Sequence, residues 1–124
     1  MKSSMANPAD LEIIVDDGGE NNVLRLKGRL GIDSSPALRD RLLAMLRSQS
    51  PKAIVVDLAG VSYIDASGVA TLLEALKWAL NRQTTLCLQG LQGRPLHLFE
   101  VAGMLPLFET YGCRETSATE LKVS

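Results

Sequence analysis

The run "KAIVVDL" (52–58) constrains this chain more than any other stretch. It is too short for a helix and rich in β-branched residues, which pack well on a pleated surface and lose rotamer freedom in a helix. An apolar run of this kind predicts a strand buried on both faces, and such strands sit in sheets whose parallel neighbours are reached by helical crossovers. The flanking sequence supplies the crossovers. Upstream, "SPALRDRLLAML" (35–46) offers Ser35 as an N-cap and Pro36 at the first helical position. Leu38, Leu42, Met45 and Leu46 then follow at helical spacing, in a helix ending near Arg47. Downstream of a "DLAGV" turn and "YIDASG", the pattern predicts a helix of about thirteen residues. "TTLCLQG" (84–90) then reads as a strand, and "GRPLHLFEVAG" as a short helix closed by Gly103.

Before these elements, "LEIIVDD" (11–17) and "NVLRLKG" (22–28) are short β-type runs separated by the turn cluster "DGGEN", which predicts a hairpin. The expected order is β-β-α-β-α-β-α, with a weaker strand around "FETYG". The fold class is therefore α/β: a small mixed β-sheet packed with helices, antiparallel in the hairpin and parallel across the later crossovers. A chain of 124 residues fits one domain. Its expected limits are 11–117, with a flexible N-terminal tail at 1–10 and a C-terminal tail at 118–124.

Thirteen basic and fourteen acidic residues, a formal charge of -1, leave no electrostatic footprint for nucleic acid, and no Lys/Arg cluster forms a phosphate-binding stripe. No run reaches the roughly 18 apolar residues of a membrane span, and "MKSSMANPAD" lacks the apolar core of a secretory signal. The expectation is a cytoplasmic protein that does not insert into a membrane. Cys87 and Cys113 are far apart in sequence with no partner at metal-ligand spacing, so they read as reduced structural cysteines and no metal or cofactor is expected.

The chemistry-bearing stretch is "YIDASGVATLL" (63–73), an acid, a small residue, a hydroxyl and a glycine between a strand and a helix. Asp65 is placed to cap free N–H groups, Ser67 falls in the first turn, and Gly68 keeps the backbone approachable. At 100° per residue, Val69, Leu72, Leu73, Leu76, Ala79 and Leu80 share the core stripe. Ser67, Thr71, Glu74 and Trp78 project to the opposite side as one outward ridge. A tryptophan opposite the core is either covered by a tail or loop or exposed as a partner anchor. A catalytic reading, with Ser67 as nucleophile and His97 as base, lacks the glycine two residues before Ser that a G-x-S-x-G elbow needs. Phosphate-binding glycine motifs are missing too.

"KAIVVDLAGVSYIDASGVATLLEAL" resembles the signature of the STAS domain, the family of anti-sigma factor antagonists and of sulfate-transporter cytoplasmic tails. "LKGRL" and "LQGLQGRPLHLFEVAGMLPLF" extend the resemblance over roughly residues 11 to 112, and it implies a single STAS-like domain. In the antagonists the hydroxyl before the motif's glycine is phosphorylated by an anti-sigma factor serine kinase, and that position here is Ser67. The resemblance thus implies a non-enzymatic regulator, and together with the outward ridge of the helix it makes Asp33, Asp65, Ser67, Gly68, Thr71, Glu74 and Trp78 the expected partner-binding residues. The family often carries Asp directly after the "G-x-L" of the second strand, where this chain has Gly31, with Asp33 two positions on. Within the same family the alternative is a subunit of an ABC-type lipid transport complex that grips the ATPase subunit with the same helix.

Overall fold

A computed structural model describes residues 11–16, 21–49 and 51–115. The elements run β1 (Leu11–Asp16), β2 (Asn21–Leu30), α1 (Ser35–Gln49), β3 (Ala53–Ile64) and α2 (Ala66–Asn81). They continue through β4 (Thr85–Gln89), α3 (Gly93–Val101), α4 (Leu105–Tyr111) and β5 (Cys113–Glu115). Residues 17–20 of the expected hairpin turn and the two expected tails lie outside the described residues. The five strands form one sheet in the order β1-β2-β3-β4-β5. β1 and β2 are antiparallel, and every other neighbouring pair is parallel. The α/β class and mixed sheet expected from the sequence are what is found.

The core lies on one side of the sheet. Leu24, Leu26 and Leu30 of β2, with Ile54, Val56 and Leu58 of β3, are buried in one cluster with Leu38 and Leu42 of α1 and Leu72 and Leu76 of α2. Phe99 of α3 and Phe108 of α4 complete it, meeting edge to face with ring centres 6.1 Å apart, the arrangement favoured by aromatic quadrupoles. The opposite face is mixed and, among the described residues, less covered: Val23 and Val55 are half-buried and Cys87 is buried. Glu12, Ile14, Asp16, Arg25, Lys27 and Thr85 are exposed there, and Arg25 lies between Asp16 at 3.8 Å and Asp57 at 3.7 Å. The expectation that β3 is buried on both faces is thereby corrected: Ala53, Val55 and Asp57 are only half-buried. β-branching had signalled a strand, but three apolar side chains in succession do not say how well the second face is covered.

β3 also runs longer than expected, over twelve residues. "DLAGV" is not a turn that ends the strand but a bulge within it. Arg25 pairs with Asp57 and Lys27 with Gly60, then Gly28 pairs with Val61 and Arg29 with Tyr63, so β3 carries an extra residue at each step. The Asp57 carboxylate accepts the Ala59 N–H at 3.0 Å, a local bond that competes with the ladder and favours the first bulge.

Two further expectations are corrected. "FETYG" belongs to α4 rather than to a strand, because Phe108 must turn inward against Phe99. The last strand, β5, begins only after Gly112, where a Cβ would come within 2.5 Å of the Leu86 carbonyl oxygen. Ser35 does not cap α1 through its hydroxyl, which instead donates to the Gly31 carbonyl at 2.7 Å. The Ser34 hydroxyl accepts the Gly31 N–H at 3.0 Å and donates to the Arg29 carbonyl at 2.9 Å, so the two serines fold the β2–α1 loop back on itself.

Candidate functional site

β2 and β3 end side by side, with Leu30 paired to Ile64, and α2 starts immediately beyond. Asp65 is its N-cap, in an extended conformation that aims the carboxylate back along the helix axis. Oδ1 accepts the N–H of Ser67 at 2.9 Å and of Gly68 at 3.2 Å, while Oδ2 accepts the Ile32 N–H at 3.2 Å. The Asp65 N–H donates to the Leu30 carbonyl at 3.3 Å. One carboxylate thus ties the start of α2 to the β2–α1 loop.

Gly68 is required by close approach, and Gly31 sits hard against the Asp65 carboxylate. A Cβ on Gly68 would fall 2.8 Å from the Leu30 carbonyl oxygen and 2.8 Å from a side-chain carbon of Ile64. A Cβ on Gly31 would fall 2.9 Å from Asp65 Oδ2. An aspartate at 31 would set a second carboxylate against the first, which gives Gly31 a physical reason in this chain.

Ser67 is half-buried, and its hydroxyl makes no hydrogen bond within the described residues. The N–H groups of Ser67 and Gly68 are taken by Asp65, the capping role expected of it. Beside the motif lies a cleft of about 140 Å³ walled by Arg29, Ile32, Asp33, Tyr63 and Asp65. The Arg29 guanidinium lies over the Tyr63 ring, 4.1 Å from its centre, within cation–π range. Ile32 is 69% exposed at the rim. Sequence reasoning missed Arg29, Ile32 and Tyr63. Arg29 and Tyr63 are brought level only by the second bulge, which no periodicity announces.

The expected ridge along α2 does not exist as one surface. Thr71 is 7% exposed, so its assignment to a partner surface is corrected. Leu80, placed in the core by the projection, is 45% exposed, and Ala75 is buried in its stead. The reason is α1, which packs along this flank and turns the buried stripe toward itself. Glu74 is held by Arg39 of α1 at 3.3 Å. Trp78 is half-buried against the core, with the Arg39 guanidinium 5.3 Å from its ring centre. Among the described residues, Arg39 of α1 lies over it. Asp65, Ser67, Gly68 and Asp33 are therefore gathered at one end of α2, and Trp78 stands about 16 Å away along the helix.

A family model described as "Mlab, STAS domain" matches residues 13–108. The chain belongs to the STAS domain family. Among curated proteins, this STAS domain is 25% identical over 91 residues to the anti-sigma-B factor antagonist of Bacillus subtilis, covering 73% of this chain and 82% of the relative. The anti-sigma-B factor antagonist of Listeria monocytogenes is 39% identical over 54 residues, covering 44% of this chain and 47% of the relative, so that match spans about half the relative's length. Among solved structures, an anti-sigma factor antagonist from Mycobacterium paratuberculosis superposes with a TM-score of 0.74 at 19% identity, covering 96% of this chain and 97% of the other. That likeness concerns the fold alone.

Elsewhere in this STAS domain, no group of His, Cys, Asp and Glu among the described residues could hold a metal ion, and no described helix is long and apolar enough to cross a membrane. His97 lies exposed on α3 with Glu100 at 3.9 Å. Cys87 is buried on β4, and Cys113 is half-buried beside it on β5.

Proposed function

We propose that this STAS domain is a non-enzymatic, cytoplasmic regulator of the anti-sigma factor antagonist type, whose partner is an anti-sigma factor serine kinase and whose switch is phosphorylation of Ser67. The observation that carries the reading is a half-buried serine whose hydroxyl makes no hydrogen bond among the described residues, at the start of α2 capped by Asp65, which itself lines the cleft of Arg29, Asp33 and Tyr63. A phosphoryl group adds about -1.5 to -2 charges. Asp65 already occupies the two nearest N–H groups, so the new charge is not absorbed by the helix start and faces the docked partner directly.

Incubation with the cognate anti-sigma factor kinase and ATP is expected to add one phosphate, which fragment mass spectrometry places at Ser67 and which Ser67→Ala abolishes. Phosphate on Thr71, or none with a kinase active on another antagonist, overturns the proposal. Gly31 favours a second reading, as the subunit of an ABC-type lipid transport complex that binds the ATPase, because the family's frequent aspartate is missing there. Stable co-purification with the ATPase, unaffected by Ser67→Asp, distinguishes it.

A further inference from the structure

A second surface lies at the other end of α2. α1 and α2 run side by side in the same direction, since Arg39 meets Glu74 and Trp78 while Arg47 lies near Trp78 and Arg82. Where they end, Leu43, Arg47, Trp78, Asn81 and Arg82 wall a groove of about 570 Å³. We infer that this groove is a docking site for an acidic segment of a partner protein, which sets an apolar side chain against Trp78 and carboxylates against Arg47 and Arg82.

Three observations carry the inference. Trp78 and Leu43 both line the groove, which gives it an aromatic and aliphatic wall of the kind that anchors interfaces. Arg47 and Arg82 are exposed, and neither pairs with a carboxylate among the described residues. The two helix C-termini beneath them supply about half a negative charge each, which leaves roughly one positive charge for a partner to meet. Third, the described residues begin and end toward the other end of the sheet. Leu11 pairs with Gly28 near the end of β2, and Glu115 is level with Gln89 at the end of β4, whereas the groove adjoins the start of β4. Two guanidiniums fall short of the cluster of roughly 4–8 basic residues that reads as an anionic lipid surface, which favours a protein segment.

Trp78 is the one tryptophan of the chain, so its emission reports this groove directly. The probe is a short synthetic peptide of Glu and Asp around a central Phe-Leu pair, titrated into the full chain at low salt. A saturable change in Trp78 emission is expected, weakened at least roughly tenfold by Arg47→Glu with Arg82→Glu and unchanged by Ser67→Asp. Both arginines are exposed, and a thermal melt of each variant checks that folding is retained. The inference is overturned by no saturable change, by an equal response to the same peptide with Lys for its acids, or by equal affinity in the charge-reversed variant. A response to phosphatidylglycerol vesicles without one to the peptide, or equally strong binding of a peptide spanning residues 116–124, overturns it too.

Discussion

Gly68 is fixed by two contacts that no local rule contains, the Leu30 carbonyl oxygen and Ile64, each 2.8 Å from where a Cβ would stand. Gly68→Ala is expected to cost about 1–3 kcal/mol by overpacking, measured by urea denaturation. Asp65→Ala is expected to cost about 0.5–2 kcal/mol and Asp65→Asn markedly less, because an amide oxygen still caps. Equal losses for Ala and Asn would show that the cap is not what Asp65 contributes. The capping role was legible in the sequence, since an acid directly before an apolar helical run is a local signal. The second role of Asp65, holding the Ile32 N–H, was not, because its partner lies 33 residues away in sequence. Gly31 likewise stood in the sequence only as a departure from the family pattern, and its reason appeared once Asp65 Oδ2 was found where a side chain would go.

α2 was legible as a helix because Val69, Leu72, Leu76 and Ala79 recur at its period, and all four are buried. Its exposed side was misjudged because a projection knows one buried face, whereas a helix wedged between a sheet and a neighbouring helix has two. The energetics of Trp78 change accordingly. With its ring packed on the core and beneath Arg39, Trp78→Ala is expected to destabilise the fold by about 2 kcal/mol, half the usual cost of truncating a fully buried aromatic. A thermal melt that matches wild type would return Trp78 to the surface. α4 was missed for a related reason. "LPLFETY" is only seven residues long, too short for a helix to hold without tertiary contact, and it is Phe108 in the core that holds it.

Among the described residues the sheet is covered far more fully on one side than on the other, which makes it unequal in its tolerance of change. Leu24→Ala, in the covered face, is expected to cost about 2–5 kcal/mol. Ile14→Ala, at the exposed centre of β1 on the other face, should remain below about 1 kcal/mol. Comparable losses in chemical denaturation would mean that something covers the open face. The succession of elements was legible from alternating strand and helix periods, and so was the parallel centre of the sheet. The sidedness was not, because "AIVV" fills the two faces of β3 with equally apolar residues while only Ile54 and Val56 are sealed. The positions of Leu11 and Glu115, toward the end of the sheet that carries Ser67, also decide how the molecule can be built into fusions. A folded passenger joined by a short linker before Leu11 emerges toward the end of the sheet that carries Ser67. The same passenger inserted at Gln83, in the turn between α2 and β4 where φ is already +60°, stands over Trp78 instead. One passenger in two attachment points thus obstructs the two ends of α2 separately.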